Sequence, residues 1–90
     1  MTKCKFLKNG IDVYNHAGDP AVCTAISVLT DTFDLALKGD HITWKESGVL
    51  MCEWAGELSE DGKSKLNFLK IGLAAIEQDF PEYLCLIDAD

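Results

Sequence analysis

The chain of 90 residues has no apolar run approaching the roughly 20 residues that a bilayer-spanning helix needs, so a membrane protein is not expected. Its opening, MTKCKFLKNG, lacks the apolar region and small-residue cleavage site of a secretory signal, which leads to the expectation of a cytoplasmic protein. Proline is scarce, with two in the chain, and there is no low-complexity stretch, linker or internal repeat; fibrous and disordered classes are excluded. Basic residues are scarce as well. Eight Lys plus Arg against fifteen acidic side chains give a formal charge of −7, a surface that repels phosphate backbones and attracts basic proteins. Direct binding of nucleic acid is therefore not expected. No Cys-x-x-Cys pair occurs, and the widely spaced Cys4, Cys23, Cys52 and Cys85 read as free thiols.

What is present is a hydrophobic content of 48%, enough for one core, so residues 1–90 read as a single domain. Along KCKFLK, Lys3 and Lys5 alternate with Cys4 and Phe6, and IDVY continues the alternation after Asn9-Gly10, a dipeptide that favours the positive φ angles of a hairpin turn. Val22, Ile26, Leu29, Phe33 and Leu37 then recur at spacings of three and four, predicting a helix from about Pro20 to Lys38. Pro20 suits its first position, Asp19 its cap and Gly39 its end. HITWK and VLMCEW, parted by Glu46-Ser47-Gly48, predict a second hairpin whose first strand is half exposed. From Ser59, the stripe Leu66, Leu69, Leu73, Ile76 predicts a second helix ending near Phe80-Pro81, and YLCLI a closing strand. The order is ββαββαβ: an α+β fold with a mostly antiparallel sheet covered by two helices. The uncovered sheet face offers a surface for dimerisation.

Cys23 falls in the first turn of the predicted helix, where unpaired amides and the helix dipole favour negative charge. The plainer alternative is a small apolar side chain packed under that turn. His16 stands seven positions earlier, at a strand exit, and a short loop brings it toward Cys23; an imidazole there can take a thiol proton and return one to a leaving amine. Gly18 lets this loop turn sharply or admit a substrate backbone closely. Asp19 is either an orienter of His16 or simply the helix cap. Backbone amides at the helix start are candidates to stabilise an oxyanion.

Other clusters have plainer readings. Cys4, Cys52 and Cys85 on neighbouring strands raise the thought of a metal site with His41, yet strand cysteines are more often core residues. At least one of Trp44 and Trp54 is expected in the core. The tail IDAD reads as a solvated end, and Glu57, Glu60 and Asp61 as helix-start charges.

The run HAG at 16–18, followed by Val22, Cys23, Ala25, Ile26 and Ser27, resembles the signature of the ribosomal-processing cysteine protease family, Prp or YsxB-like. SGVLMCEW is similar to a strand of that family's second hairpin, and IGLAAIEQDFPEYLCL to its closing helix and strand, so the resemblance spans nearly the whole chain. It implies a cysteine endopeptidase that removes the N-terminal extension of a large-subunit ribosomal protein, with His16 and Cys23 as the catalytic dyad. Gly18, Asp19 and Ser27 are the candidates for holding substrate. The resemblance further implies a homodimer, no organic cofactor and no metal, and a basic partner that suits the charge of −7. The chain departs from the family in one place: AGDPAV between the histidine and the cysteine is shorter than the family's loop, and Pro20 stands where an aspartate is usual. A second class is consistent with that change, a catalytically silent dimeric peptide-binding protein of the same fold, of bacterial or phage origin and with a phage structural protein as the alternative partner.

Overall fold

The computed structural model describes residues 1–37 and 41–89. They form β1 (Thr2–Leu7), β2 (Gly10–Tyr14), α1 (Pro20–Ala36), β3 (His41–Glu46), β4 (Val49–Trp54), α2 (Glu60–Asp79) and β5 (Leu84–Asp88), the ββαββαβ order expected. The five strands make one sheet ordered β3-β4-β2-β1-β5, antiparallel except for the β1–β5 pair. Among the described residues, no helix is long and apolar enough to cross a membrane.

Both helices cover one sheet face. Cys4 and Phe6 of β1, Ile11 and Val13 of β2, Leu50, Cys52 and Trp54 of β4 and Leu84 of β5 alternate inward and join Val22, Ile26 and Phe33 of α1 and Leu69 and Leu73 of α2 in a single core. Phe33 meets Trp54 edge to face at 6.3 Å, a geometry that contributes about 1 kcal/mol beyond area burial. The helices touch through Leu29, which lies against Gly72, and Lys65 donates to the Ala36 carbonyl at 2.8 Å. Glu77 of α2 accepts from the Leu86 amide at 2.7 Å, occupying a donor of the β5 edge that would otherwise invite another strand.

The helix starts follow their local sequence. Asp19 accepts from the amides of Ala21 and Val22 with Pro20 directly after it, and Ser59 accepts from the Gly62 amide. The described part of α1 ends with the Leu37 amide on the Phe33 carbonyl; the expected boundary at Lys38 and the terminator Gly39 lie outside the described residues.

Two expectations need correction. The first hairpin turns at Lys8-Asn9, with Leu7 paired to Gly10, and neither Asn9 nor Gly10 has a positive φ. Gly10 is required instead by close approach, because a Cβ there would lie 2.7 Å from the Cys52 carbonyl oxygen of β4. The second correction concerns the tail: IDAD is not merely a solvated end, since Ile87 and Asp88 belong to β5 and the Ala89 amide bonds the Phe6 carbonyl.

Strand β3 runs along the sheet edge with an unusual polarity. Its apolar Ile42 (76% exposed) and Trp44 (51% exposed) point away from the helices, while His41, Thr43 and Lys45 turn toward them. The cause lies on α1, which offers Asp31 and Asp34 on that flank: Lys45 reaches Asp31 at 2.7 Å and His41 reaches Asp34 at 3.0 Å. Trp54 is thus the core tryptophan and Trp44 the exposed one.

Candidate active site

Strand β2 delivers His16. Immediately past its end, Asn15 adopts a left-handed backbone at φ 68°, which asparagine tolerates better than most residues, and its carbonyl accepts from the buried Thr2 hydroxyl at 2.8 Å. Gly18 is left-handed as well, at φ 91°, and Ala17 between them is buried. Two reversed residues flanking a buried anchor fold the loop tightly and leave the His16 side chain exposed beside the start of α1.

Cys23 sits half buried in the first turn of α1, and its Sγ lies 3.9 Å from His16 Nδ1. That is the long end of a sulfur hydrogen bond, and hydrogen bonds of catalytic groups are often long before substrate tightens them, so the distance leaves proton transfer open to this pair. For Nδ1 to accept the thiol proton, the imidazole must carry its own proton on Nε2. The Nε2 edge meets Gly48, in the turn between β3 and β4: a Cβ added to Gly48 would lie 2.8 Å from Nε2. The sheet brings them together, because Tyr14 pairs with Val49, so the strand before His16 and the strand after Gly48 end side by side. Among the described residues, the thiol is the one hydrogen-bond partner of the ring, which is held by packing and not by a carboxylate.

A groove of about 460 Å³ opens over this pair. His16, Cys23 and Ser27 line it with Asp31, Glu46 and Gly48, above an apolar floor that includes Val13, Ile26 and Leu50. Cys23 and Ser27 share a helix face by their spacing of four. Gly18 and Asp19 do not line the groove. Gly18 has open space around it and contributes a backbone angle, and Asp19 turns its carboxylate to the helix amides. Asp19 thereby occupies the donors at the helix start: Ala21 and Val22 bond its Oδ1 at 3.0 and 3.1 Å, and Cys23 bonds its carbonyl at 2.9 Å. The amides expected to face an oxyanion are all engaged.

The other thiols are placed differently. Cys4 and Cys52 are fully buried, and burial pushes the Cys4 thiol up to about 12 and the Cys52 thiol upward too. Cys85 pairs in register with Lys3 on the uncovered face, away from both. The cysteine trio considered with His41 therefore does not assemble; His41 meets Asp34 and Cys52 instead.

Three contributors escape a reading by residue type: Thr2, Asn15 and Gly48. Asparagine's tolerance of left-handed backbone, and glycine at a hairpin turn, were the available signals, but neither tells that the turn would rest against His16.

No protein-family model matches the chain, and no curated protein matches it in sequence. Solved structures do match in fold. The essential ribosomal processing protease Prp from S. aureus, with a covalently linked product peptide, superposes with a TM-score of 0.80 at 14% identity over 97% of this chain and 96% of that one. The same protease with a substrate peptide gives 0.80 at 12% identity, covering 97% and 96%. SMU.848 from Streptococcus mutans gives 0.77 at 17% identity, covering 98% and 93%. The chain shares its fold with these proteins, one of them a ribosomal processing protease solved with bound peptides.

Proposed function

We propose that this protein is a cytoplasmic cysteine endopeptidase that removes the N-terminal segment of a basic ribosomal (or phage structural) protein. The carrying observation is the Cys23–His16 contact of 3.9 Å at the mouth of the groove. The shared fold with a protease solved with product and substrate peptides supports it, as does the charge of −7 toward a basic substrate.

In this reading the Cys23 thiol gives its proton to His16 Nδ1, and the sulfur attacks the scissile carbonyl carbon. The imidazolium returns the proton to the leaving nitrogen as the C–N bond breaks, leaving a thioester. Water, deprotonated by His16, then attacks the thioester; the product acid leaves and the thiol is restored. Ser27 lines the path of the bound segment, while Gly18 and Asp19 act by shaping the loop that carries His16. The short AGDPAV loop keeps His16 beside Cys23 and leaves the groove open. The proposal includes a homodimer through the uncovered sheet face, supported by exposed Ile42 and Trp44; sedimentation of Trp44→Lys tests it, a monomer being the expected result.

A second reading, a catalytically silent peptide-binding protein, is favoured by one observation: Asp19 engages the amides an oxyanion would need. Incubation with a ribosomal protein bearing an N-terminal extension, read by mass spectrometry, separates the two. Cleavage by the wild type and none by Cys23→Ala is expected. Binding without cleavage establishes the silent reading, and cleavage by both proteins exposes a contaminant.

A further inference from the structure

A second cluster of reactive side chains lies further along the same flank of α1, toward its C-terminal end, built by the inverted polarity of β3. His41 Nε2 stands 3.0 Å from Asp34 Oδ1, and the Thr43 hydroxyl donates to the same oxygen. Thr43 pairs across the ladder with Cys52, whose fully buried side chain lies on the same helix-facing side of the sheet. One ligand atom from each of Asp34, His41 and Cys52 falls within 4.8 Å of the others.

A tetrahedral zinc centre has metal–ligand distances of about 2.0–2.3 Å, which set its ligand atoms about 3.3–3.8 Å apart. The three atoms therefore need shifts on the order of 1 Å to close on one ion. One sulfur, one imidazole nitrogen and one carboxylate oxygen form a donor set suited to zinc and unsuited to magnesium or calcium, which take oxygen. Thr43 supplies the outer hydrogen bond that orients the carboxylate. His41 offers either ring nitrogen: Nε2 faces Asp34, and Nδ1 is buried without a partner among the described residues. The site has a mouth, since the His41 and Asp34 side chains are 16% and 25% exposed and His41 also lines a second cavity of about 240 Å³.

We propose that Asp34, His41 and Cys52 bind one zinc-class divalent cation, with water as the fourth ligand, and that the ion ties α1 to the β3–β4 hairpin. That hairpin carries Gly48, so the ion braces the wall on which His16 rests. An ordinary ion pair between Asp34 and His41, with Cys52 as a core filler, is the alternative.

Cobalt(II), which replaces zinc and reports its ligands by colour, decides between them. The full chain carrying Cys23→Ser is titrated with cobalt alone, so that the groove thiol contributes nothing. Expected are one cobalt per chain, visible bands of four-coordinate cobalt and a thiolate-to-cobalt band in the near ultraviolet, all displaced by zinc. Adding Cys52→Ala abolishes the thiolate band, and Thr43→Val weakens binding by about 10-fold. Absence of the thiolate band in Cys23→Ser, or its survival in Cys52→Ala, overturns the site. Should circular dichroism show Cys52→Ala unfolded, Asp34→Asn and His41→Ala decide: each is expected to weaken cobalt binding by more than about 10-fold, and unchanged affinity in both overturns it.

Discussion

The Nε2 edge of His16 rests on the bare α-carbon of Gly48, with 2.8 Å between that nitrogen and the Cβ that any other residue would carry. Gly48 also holds φ at 77°, an angle that costs a side-chain-bearing residue about 1–3 kcal/mol. Gly48→Ala is therefore expected to lower stability by about that amount and to push the imidazole from the thiol. The reporter is iodoacetamide labelling of Cys23, which should fall to the rate seen in His16→Ala. A protein that loses stability yet labels at the wild-type rate would show that Gly48 serves only the turn.

Labelling of the four thiols should itself be unequal. Cys4 and Cys52 are fully buried with raised thiol pKa values, and Cys85 is half buried on the uncovered face; Cys23 combines partial exposure with an exposed imidazole 3.9 Å from its sulfur. At neutral pH, mass spectrometry of partly alkylated protein should find Cys23 modified first, and His16→Ala should slow that site and no other. In peptide hydrolysis, loss of the imidazole should cost on the order of 10²-fold or more. Equal, slow modification at all four positions would remove the basis of the thiol–imidazole mechanism.

Asp19 sets a competition at the start of α1. Its carboxylate stabilises the helix through the amides of Ala21 and Val22, and the same negative charge opposes a second one on the Cys23 sulfur nearby in the same turn. Asp19→Ala should cost about 1 kcal/mol in urea denaturation and speed Cys23 alkylation. Asp19→Asn keeps a capping oxygen but removes the charge, so it should speed alkylation with little loss of stability. If neither variant alters the rate, the carboxylate has no electrostatic hold on the thiol.

The positions of these residues were legible to different depths. The start of α1 could be read from Asp19, Pro20 and the apolar spacing, because cap and helix lie within one turn of chain. The placement of His16 near Cys23 followed from the shortness of the loop. By contrast, the reason for Gly10 lies in a carbonyl of β4, and the outward turn of Ile42 and Trp44 depends on acidic residues of α1; both are set by pairing between distant segments. The occupation of the first-turn amides was half visible: a capping aspartate was evident, but not its consequence for the oxyanion donors. Local chemistry is written in neighbouring residues, whereas packing partners depend on the sheet order β3-β4-β2-β1-β5, which no short motif encodes.

Cys4 gives the fold a dependence on alkaline pH. Burial raises its thiol from 9.0 to about 12, with Asp12 adding to the effect, so the folded chain holds this proton more tightly than the unfolded chain does. The stabilisation is fully present below about pH 9 and is lost as pH climbs toward about 12, because the unfolded state releases the proton first. The loss runs at about 1.4 kcal/mol per pH unit within that window. Burial raises the Cys52 thiol as well, so the comparison that isolates Cys4 is with Cys4→Ala, itself destabilised by the removed sulfur. Urea denaturation from about pH 8 to about pH 10.5 should show the wild type losing stability more steeply than the variant, with the gap between them narrowing as pH rises. Parallel curves would mean that Cys4 titrates alike in the folded and unfolded chain, and that its burial between the sheet and the helices does not hold the thiol protonated.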